Sequence, residues 1–101
     1  MADIFGVVAD STRREILRIL LERYNQSGAV GGELSVSDIV VQLGLSQPTV
    51  SKHLKVLREA GLVKGEIEGP ATCYCLDPAG VRWLKEQIGD WLPERAPLIK
   101  I

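Results

Sequence analysis

The sequence is poor in the residues from which most catalytic and metal sites are built. Its 101 residues include one histidine, two cysteines, one methionine and five aromatic side chains. A single histidine, with no nucleophile-elbow motif and no pair of acids predicted to share a cleft, supplies no set of catalytic groups. Two cysteines alone do not make a disulfide framework. We therefore expect neither an enzyme nor a disulfide-stabilised secreted domain, and we expect no cofactor.

Long hydrophobic runs and a strong excess of one charge are also lacking. No apolar stretch approaches the roughly 20 residues that cross a bilayer, and no signal peptide is visible. The net charge of −1 excludes a uniformly basic, histone-like binder but leaves room for a local basic face. With 46% hydrophobic and 25% charged residues, the chain is expected to form one cytoplasmic globular domain over residues 1–101.

Hydrophobic spacing predicts four helices in the first 60 residues. The stretch 25–32 contains three glycines and is predicted to be a loop. The helices are a short one over residues 4–8, one from Asp10 or Ser11 to about Tyr24, one that begins at Ser35 and ends at Gly44, and one that begins near Ser46 and ends at about Ala60.

The third and fourth helices form the pattern of a helix-turn-helix motif. Only Gly44, Leu45 and Ser46 separate them, and a short turn that contains glycine is typical of this motif. Ser46 is a favourable N-cap for the fourth helix, and Gly61 ends it. Its inner face is predicted to consist of Val50, Leu54 and Leu57.

The rest of the chain predicts a hairpin and a last helix. Two β-rich segments, 62–68 and 71–76, flank Gly69 and Pro70. A helix then runs from Pro78 to Leu92. A hairpin directly behind a helix-turn-helix occupies the position of a wing. The predicted fold class is mainly α with a small β-hairpin (α-α-α-α-β-β-α), a winged helix-turn-helix.

Positive charge is concentrated around the second helix of the motif. Residues 46–64 carry a net charge of +3, whereas the segments on either side are both acidic. Lysine and arginine that contact phosphates release condensed counterions and supply much of the affinity for DNA. Side chains at the start of such a helix reach base edges in the major groove. The predicted DNA-contacting residues are Gln47, Pro48, Thr49, Ser51, Lys52, His53, Lys55, Arg58 and Lys64.

Individual roles follow from side-chain chemistry. Gln47 is suited to a bidentate pair with adenine, Ser51 can donate or accept, and Lys52 can reach guanine or phosphate. Lys55 and Arg58 lie further along the helix and are expected to contact phosphates. His53 is expected either to contact phosphate or to support the packing near the DNA.

Two stretches of the sequence resemble the ArsR/SmtB family of winged-helix bacterial repressors. They are ADSTRREIL at residues 9–17 and LSQPTVSKHLKVLREAGLV at residues 45–63. The most specific part is the Ser-x-His-Leu-x-x-Leu core, which comprises Ser51, His53, Leu54 and Leu57. The resemblance implies a repressor that binds a two-fold symmetric DNA operator as a homodimer. It also implies release from DNA by an inducer, often a metal ion.

The resemblance further implies that the first and last helices form the dimer. Such a pairing would set the two DNA-reading helices about 34 Å apart, one turn of the duplex. The residues expected at the interface are Ile4, Phe5, Val8, Val81, Leu84, Ile88 and Trp91.

The metal sites of metal-responsive members of the resembled family lack their ligands in this chain. Metal-responsive relatives carry a Glu-Leu-Cys-Val-Cys-Asp box, whereas residues 33–38 here read Glu-Leu-Ser-Val-Ser-Asp. A second family site uses Asp and His on the last helix, where this chain has only Glu86 and Asp90. We expect no metal at either place. Cys73 and Cys75 remain candidates, since residues i and i+2 of a strand face the same side, and a thiol-based metal or redox switch is one alternative.

The wing is acidic where relatives often carry arginines. It has Glu66 and Glu68 against Lys64 alone, and carboxylates near phosphates repel. We therefore expect weak DNA contacts from the wing. The other alternative is a winged-helix module that contacts a protein partner through this acidic hairpin.

Overall fold

The computed structural model describes residues 4–27, 33–68 and 71–88, and these form a winged helix-turn-helix. The predicted fold class is confirmed, with one short strand added. The helices are α1 (Ile4–Ala9), α2 (Ser11–Ser27), α3 (Val36–Leu43), α4 (Gln47–Glu59) and α5 (Pro78–Ile88), and the strands are β1 (Leu34–Ser35), β2 (Val63–Glu68) and β3 (Ala71–Leu76).

Local capping determines where α3 begins and ends. The Ser35 hydroxyl accepts a hydrogen bond from the Asp38 backbone N–H, and the Asp38 carboxylate accepts one from the Ser35 backbone N–H, both at 3.1 Å. This reciprocal pair is a capping box. At the other end, Gly44 has φ +68° and its N–H donates to the Val40 carbonyl. Glycine adopts the left-handed conformation at little energetic cost, so α3 ends at Gly44 and the chain turns sharply into α4.

The start and the buried face of α4 agree with the predictions. Ser46 is the N-cap, and its Oγ accepts from the Thr49 backbone N–H at 3.4 Å. Pro48 lies in the first turn, where its missing N–H is no loss. The inner residues Val50, Leu54 and Leu57 are all 0% exposed.

The sheet has the strand order β1-β3-β2 and is antiparallel throughout. On the central strand, Tyr74 pairs with Leu34 of β1 and with Gly65 of β2. Tyr74 and Leu76 are buried in the core, whereas Cys73 and Cys75 alternate with them and are half-buried on the other face. The link between the strands, Gly69 and Pro70, lies outside the described residues.

One hydrophobic core joins all five described helices to the sheet. Helix α5 begins close to the end of α4, because a Cβ on Gly80 would lie 1.7 Å from the Gly61 carbonyl oxygen. The Asp77 N–H also donates to the Leu62 carbonyl at 2.9 Å. The buried residues are Val7, Ile16, Ile19, Leu20, Leu34, Ile39, Val50, Leu54, Leu57, Leu62, Val63, Tyr74, Leu76, Val81 and Leu84.

Some predicted boundaries were wrong. Helix α2 continues through Asn25 to Ser27, which were expected in the loop. Extension of an existing helix by one residue is far easier than nucleation, and the first glycine of this stretch is Gly28. Ser35 is the N-cap of α3 and also belongs to β1, so it is not the first helical residue. The expected continuation of the last helix beyond Ile88 to Leu92 lies outside the described residues.

Candidate nucleic-acid interface

The outward face of α4 carries most of the predicted DNA-contacting side chains. The burial of Val50, Leu54 and Leu57 turns the remaining positions of the helix toward solvent. One predicted residue, His53, is half-buried. The acidic Glu59 at the end of the helix is also exposed, and the predicted residues that are exposed on α4 are Gln47, Pro48, Thr49, Ser51, Lys52, Lys55 and Arg58.

The N-terminal end of this face is held by the cap. The hydroxyls of Ser46 and Thr49 lie 2.8 Å apart, so the Thr49 side chain is engaged with the N-cap residue. Gln47, directly after the cap residue Ser46, is exposed, and so is Ser51, one helical turn beyond Gln47. The helix dipole adds partial positive charge at the same end. The arrangement offers amide, hydroxyl and ammonium groups together.

The cations of α4 are not neutralised by ion pairs within the described part of the chain. The ion pairs formed there join Arg18 to Glu15 and Glu22 on α2. They raise the pKa of Arg18 and lower the pKa of Glu15 through the hydrogen bond and charge between them. Lys52 and Lys55 are thus open to an external anion.

His53 faces the interior side of the interface and contacts α2. Its Nδ1 lies 3.3 Å from Nη1 of Arg13. Asp10 is close to both residues. The pKa of Asp10 is lowered, first by the hydrogen bond from the Arg13 backbone N–H and further by the charge of Arg13. Arg13 was not among the predicted site residues. Its place in the ADSTRREIL stretch was the only sequence signal for it.

The wing presents charges of both signs. Lys64 is exposed on β2 and pairs with Cys75, and the exposed Glu66 pairs with Cys73 across the same ladder. Lys64, the last predicted DNA-contacting residue, is therefore two positions from a carboxylate. Glu68 closes β2, the strand of this hairpin that carries the acidic residues.

The two cysteines form no disulfide with each other and are half-buried. Burial, together with the negative charges of Glu33 and Glu66, raises the pKa of the Cys75 thiol. The described residues contain no group of three or more His, Cys, Asp or Glu side chains that could hold a metal ion. Ser35, at one of the positions where metal-responsive relatives have thiolates, is occupied as the cap of α3.

The residues expected at the dimer interface divide into two sets. Ile4, Phe5 and Val8 on α1 are half-buried and keep surface for a partner. Val81 and Leu84 are only 2% and 3% exposed, because they pack into the core of their own chain, so little of their surface remains. Trp83, at 46% exposed, is the large apolar side chain that α5 presents to solvent. The side chain of Ile88 and the whole of Trp91 lie outside the described residues.

An apolar groove runs beside this face. Its volume is about 320 Å³, and α1, α2, β3 and α5 all contribute to its walls. Arg14 and Arg18 of α2 also border it. The apolar residues that line it are Val8, Leu17, Leu21, Leu76, Val81 and Leu84.

Within the described residues, no helix is both long and apolar enough to span a membrane.

Comparisons with known proteins agree on one family. The family model described as "Bacterial regulatory protein, arsR family" matches residues 10–64, more than half of the chain. The Arsenical resistance operon repressor of Escherichia coli K12 is 36% identical over 87 residues, which cover 86% of this chain and 68% of the repressor.

Solved structures show the same similarity. A crystal structure of a possible transcriptional regulator for arsenical resistance has a TM-score of 0.77 at 32% identity, covering 93% of this chain and 90% of the other. A second similar structure is that of Mb0332 from Mycobacterium bovis, a homodimeric winged helix-turn-helix DNA-binding domain and possible ArsR-family regulator. Its TM-score is 0.65 at 25% identity, and the match covers 87% of this chain and 73% of the other.

The exposed basic helix, the hairpin behind it and these matches lead to one conclusion. The chain belongs to the arsR family of bacterial regulatory proteins, and it is a winged helix-turn-helix transcriptional regulator rather than an enzyme.

Proposed function

We propose that this regulator is a repressor that binds a two-fold symmetric operator in double-stranded DNA as a homodimer. Residues 1–101 would act as a single DNA-binding and dimerisation domain. The observation that carries the proposal is the outward face of α4, where Lys52 and Lys55 stand without ion pairs among the described residues, beside exposed Gln47 and Ser51. Occupation of a promoter by the dimer would block the polymerase.

The division of labour on α4 follows its geometry. Gln47 and Ser51 near the N-terminal end would meet base edges, since docking of this motif brings that end of the helix into the major groove. Lys52 meets guanine or phosphate, and Lys55 and Arg58 meet phosphates further along. Thr49 and Pro48 contribute to the contact surface, while Lys64 adds one phosphate contact from β2.

The dimer is proposed to form through α1 and α5. Ile4, Phe5 and Val8 supply apolar surface on α1, and Trp83 extends that surface on α5. The homodimeric state of the similar Mb0332 domain supports dimerisation itself. Ile88 and Trp91, together with the remaining surface of Val81 and Leu84, belong to the same proposed interface.

The proposal is tested by selection of genomic DNA fragments bound by the purified protein, followed by light scattering of the protein with one selected fragment. The expected result is a small set of fragments that share an inverted repeat, each bound by two copies of the chain. A log–log plot of affinity against salt should be linear, with a slope near −0.9 for each phosphate contacted. Binding that shows no sequence preference, or one copy per site, would contradict the proposal. Absence of DNA binding together with capture of a protein partner would favour the protein-interaction alternative.

A further inference from the structure

Arg13, near the start of α2, makes side-chain contacts with two other helices. Its Nε donates to the Val7 carbonyl at 2.7 Å, and its Nη2 donates to the Gly6 carbonyl at 3.3 Å. Both carbonyls belong to α1. Its Nη1 lies 3.3 Å from Nδ1 of His53 on α4. One guanidinium therefore joins the helix proposed for dimerisation to the helix proposed to read DNA.

The chemistry of this contact fixes the state of the histidine. A guanidinium has only donors and stays charged in proteins, so Nδ1 of His53 must accept. This acceptor role requires the tautomer that carries its hydrogen on Nε2. A lysine could not replace this arginine, because a single ammonium on a flexible stem does not reproduce a planar set of donors aimed in three directions.

Arg13 is itself held in place. Its backbone N–H donates to Asp10 Oδ1 at 3.0 Å, at the N-terminal end of α2. The neighbouring Arg14 also caps α1, since its Nη1 donates to the carbonyls of Val8 and Ala9 at 2.9 and 2.6 Å. Arg14 is exposed and borders the apolar groove. The two arginines thus share the capping of α1, whereas the hydrogen bond to His53 belongs to Arg13.

We propose that Arg13 is a positioning residue for DNA binding: through His53 it fixes α4 relative to α1, and so orients the DNA-reading face relative to the dimer face. This inference rests on the proposed function. Burial of Val50, Leu54 and Leu57 holds α4 on the core, but hydrophobic packing is non-directional. A hydrogen bond at His53, next to Lys52 in sequence, restricts the rotation of the helix about its axis.

The first experiment compares Arg13→Lys and Arg13→Gln in equilibrium binding to a selected operator. Both variants should bind about tenfold more weakly or worse, the loss expected for one hydrogen bond that involves a charged group. Arg14→Gln is the matched control, because it removes capping of α1 without a contact to α4, and it should bind as the wild type does. The salt slope of Arg13→Lys should equal that of the wild type, since the phosphate-contacting lysines are still present.

The second experiment is a double-mutant cycle between the two residues. His53→Leu fills the space without an acceptor and should lose about as much affinity as Arg13→Lys, whereas His53→Asn places an amide oxygen where Nδ1 was and should restore most of it. In the His53→Leu background, Arg13→Lys should have little further effect. Thermal unfolding and light scattering are used to check that each variant is folded and dimeric. If His53→Leu does not fold, the cycle with His53→Asn still tests the inference.

Wild-type affinity in Arg13→Lys, or additive effects of the Arg13 and His53 variants, would overturn the inference. A salt slope reduced by about 0.9 in Arg13→Gln but not in Arg13→Lys would make Arg13 a direct phosphate contact instead. Failure of the wild-type protein to bind any operator would instead contradict the proposed function. The two failures are therefore distinguishable.

Discussion

Helix α4 and the β2–β3 hairpin are two exposed parts of the same fold that differ in charge. The exposed surface of α4 carries Lys52, Lys55 and Arg58 against the single acid Glu59, whereas that of β2 offers Lys64 beside Glu66. In each of these two elements, one face packs on the core and the other faces solvent. The difference indicates that attraction to a polyanion is concentrated on α4.

Compared with α4, the hairpin contributes mainly to the structure of the core and sheet. Val63, Tyr74 and Leu76 point into the core, and β3 pairs with strands on both sides. Its inner residues hold the sheet against the helices, while its outer residues are a carboxylate, an amine and two thiols. We therefore expect substitutions on α4 to weaken DNA binding strongly and substitutions on the outer face of the hairpin to change it little.

The largest effect is expected from Lys52→Ala combined with Lys55→Ala. Loss of two phosphate contacts should reduce the salt slope by about 1.8 and the affinity by about 50-fold near 0.1 M salt. The measurement is fluorescence anisotropy on a selected operator over a range of salt. Arg23→Ala, which removes an exposed charge from α2, is the control and should leave the slope unchanged. Equal slopes in the double variant and the control would place the DNA surface elsewhere.

Gln47→Ala should mainly reduce sequence discrimination. A bidentate pair between an amide and adenine contributes about 1–3 kcal/mol of preference over the wrong base. We expect the operator to lose about tenfold while a scrambled duplex is bound as before. Competition between the two duplexes measures this ratio. An unchanged ratio would show that Gln47 does not read a base.

Glu66→Lys tests the wing from the opposite direction. If the hairpin approaches the phosphates, the new cation should increase affinity a fewfold and steepen the salt slope by up to about 0.9. Glu66→Gln removes the repulsion without adding a cation and should give a smaller gain at the same slope. A wing that never approaches DNA would leave all three proteins, wild type included, indistinguishable.

The smallest effect is expected from Cys73→Ser combined with Cys75→Ser. Burial and the nearby carboxylates raise the pKa of Cys75, so little of its reactive thiolate is present at neutral pH. Alkylation of Cys75 should be slower than that of a free thiol and should accelerate as the pH rises toward its raised pKa. Operator affinity should match the wild type. Loss of a metal- or oxidant-dependent response in the serine variant would support the thiol-switch alternative.

The sequence predicted α4 well because its signals are local. The Ser46 cap, the proline in the first turn and the spacing of Val50, Leu54 and Leu57 all lie within a few residues of one another. Strand β1 was not predicted, since Leu34 and Ser35 become a strand only by pairing with residues about 40 positions away on β3. A two-residue segment has no periodicity of its own.

Two features of the site could not be predicted for a related reason. The Arg13–His53 contact joins residues 40 positions apart, and neither residue type by itself indicates a partner. The stripe that contains Val81 and Leu84 correctly indicated a buried face of α5. Periodicity shows that a face is covered but not which chain covers it, and here the same chain buries these two residues.

Operator recognition as proposed depends most on two α4 helices of one dimer reading a single duplex. The direct measurement is affinity for a selected operator whose half-sites are moved apart by about 5 bp and then by about 10 bp, the second a full turn of DNA. The half-turn insertion should reduce binding to the level of non-specific DNA, because one reading helix then faces the wrong side of the duplex. The full-turn insertion should restore part of the affinity. Equal affinity for all three spacings, or for an isolated half-site, would contradict the account.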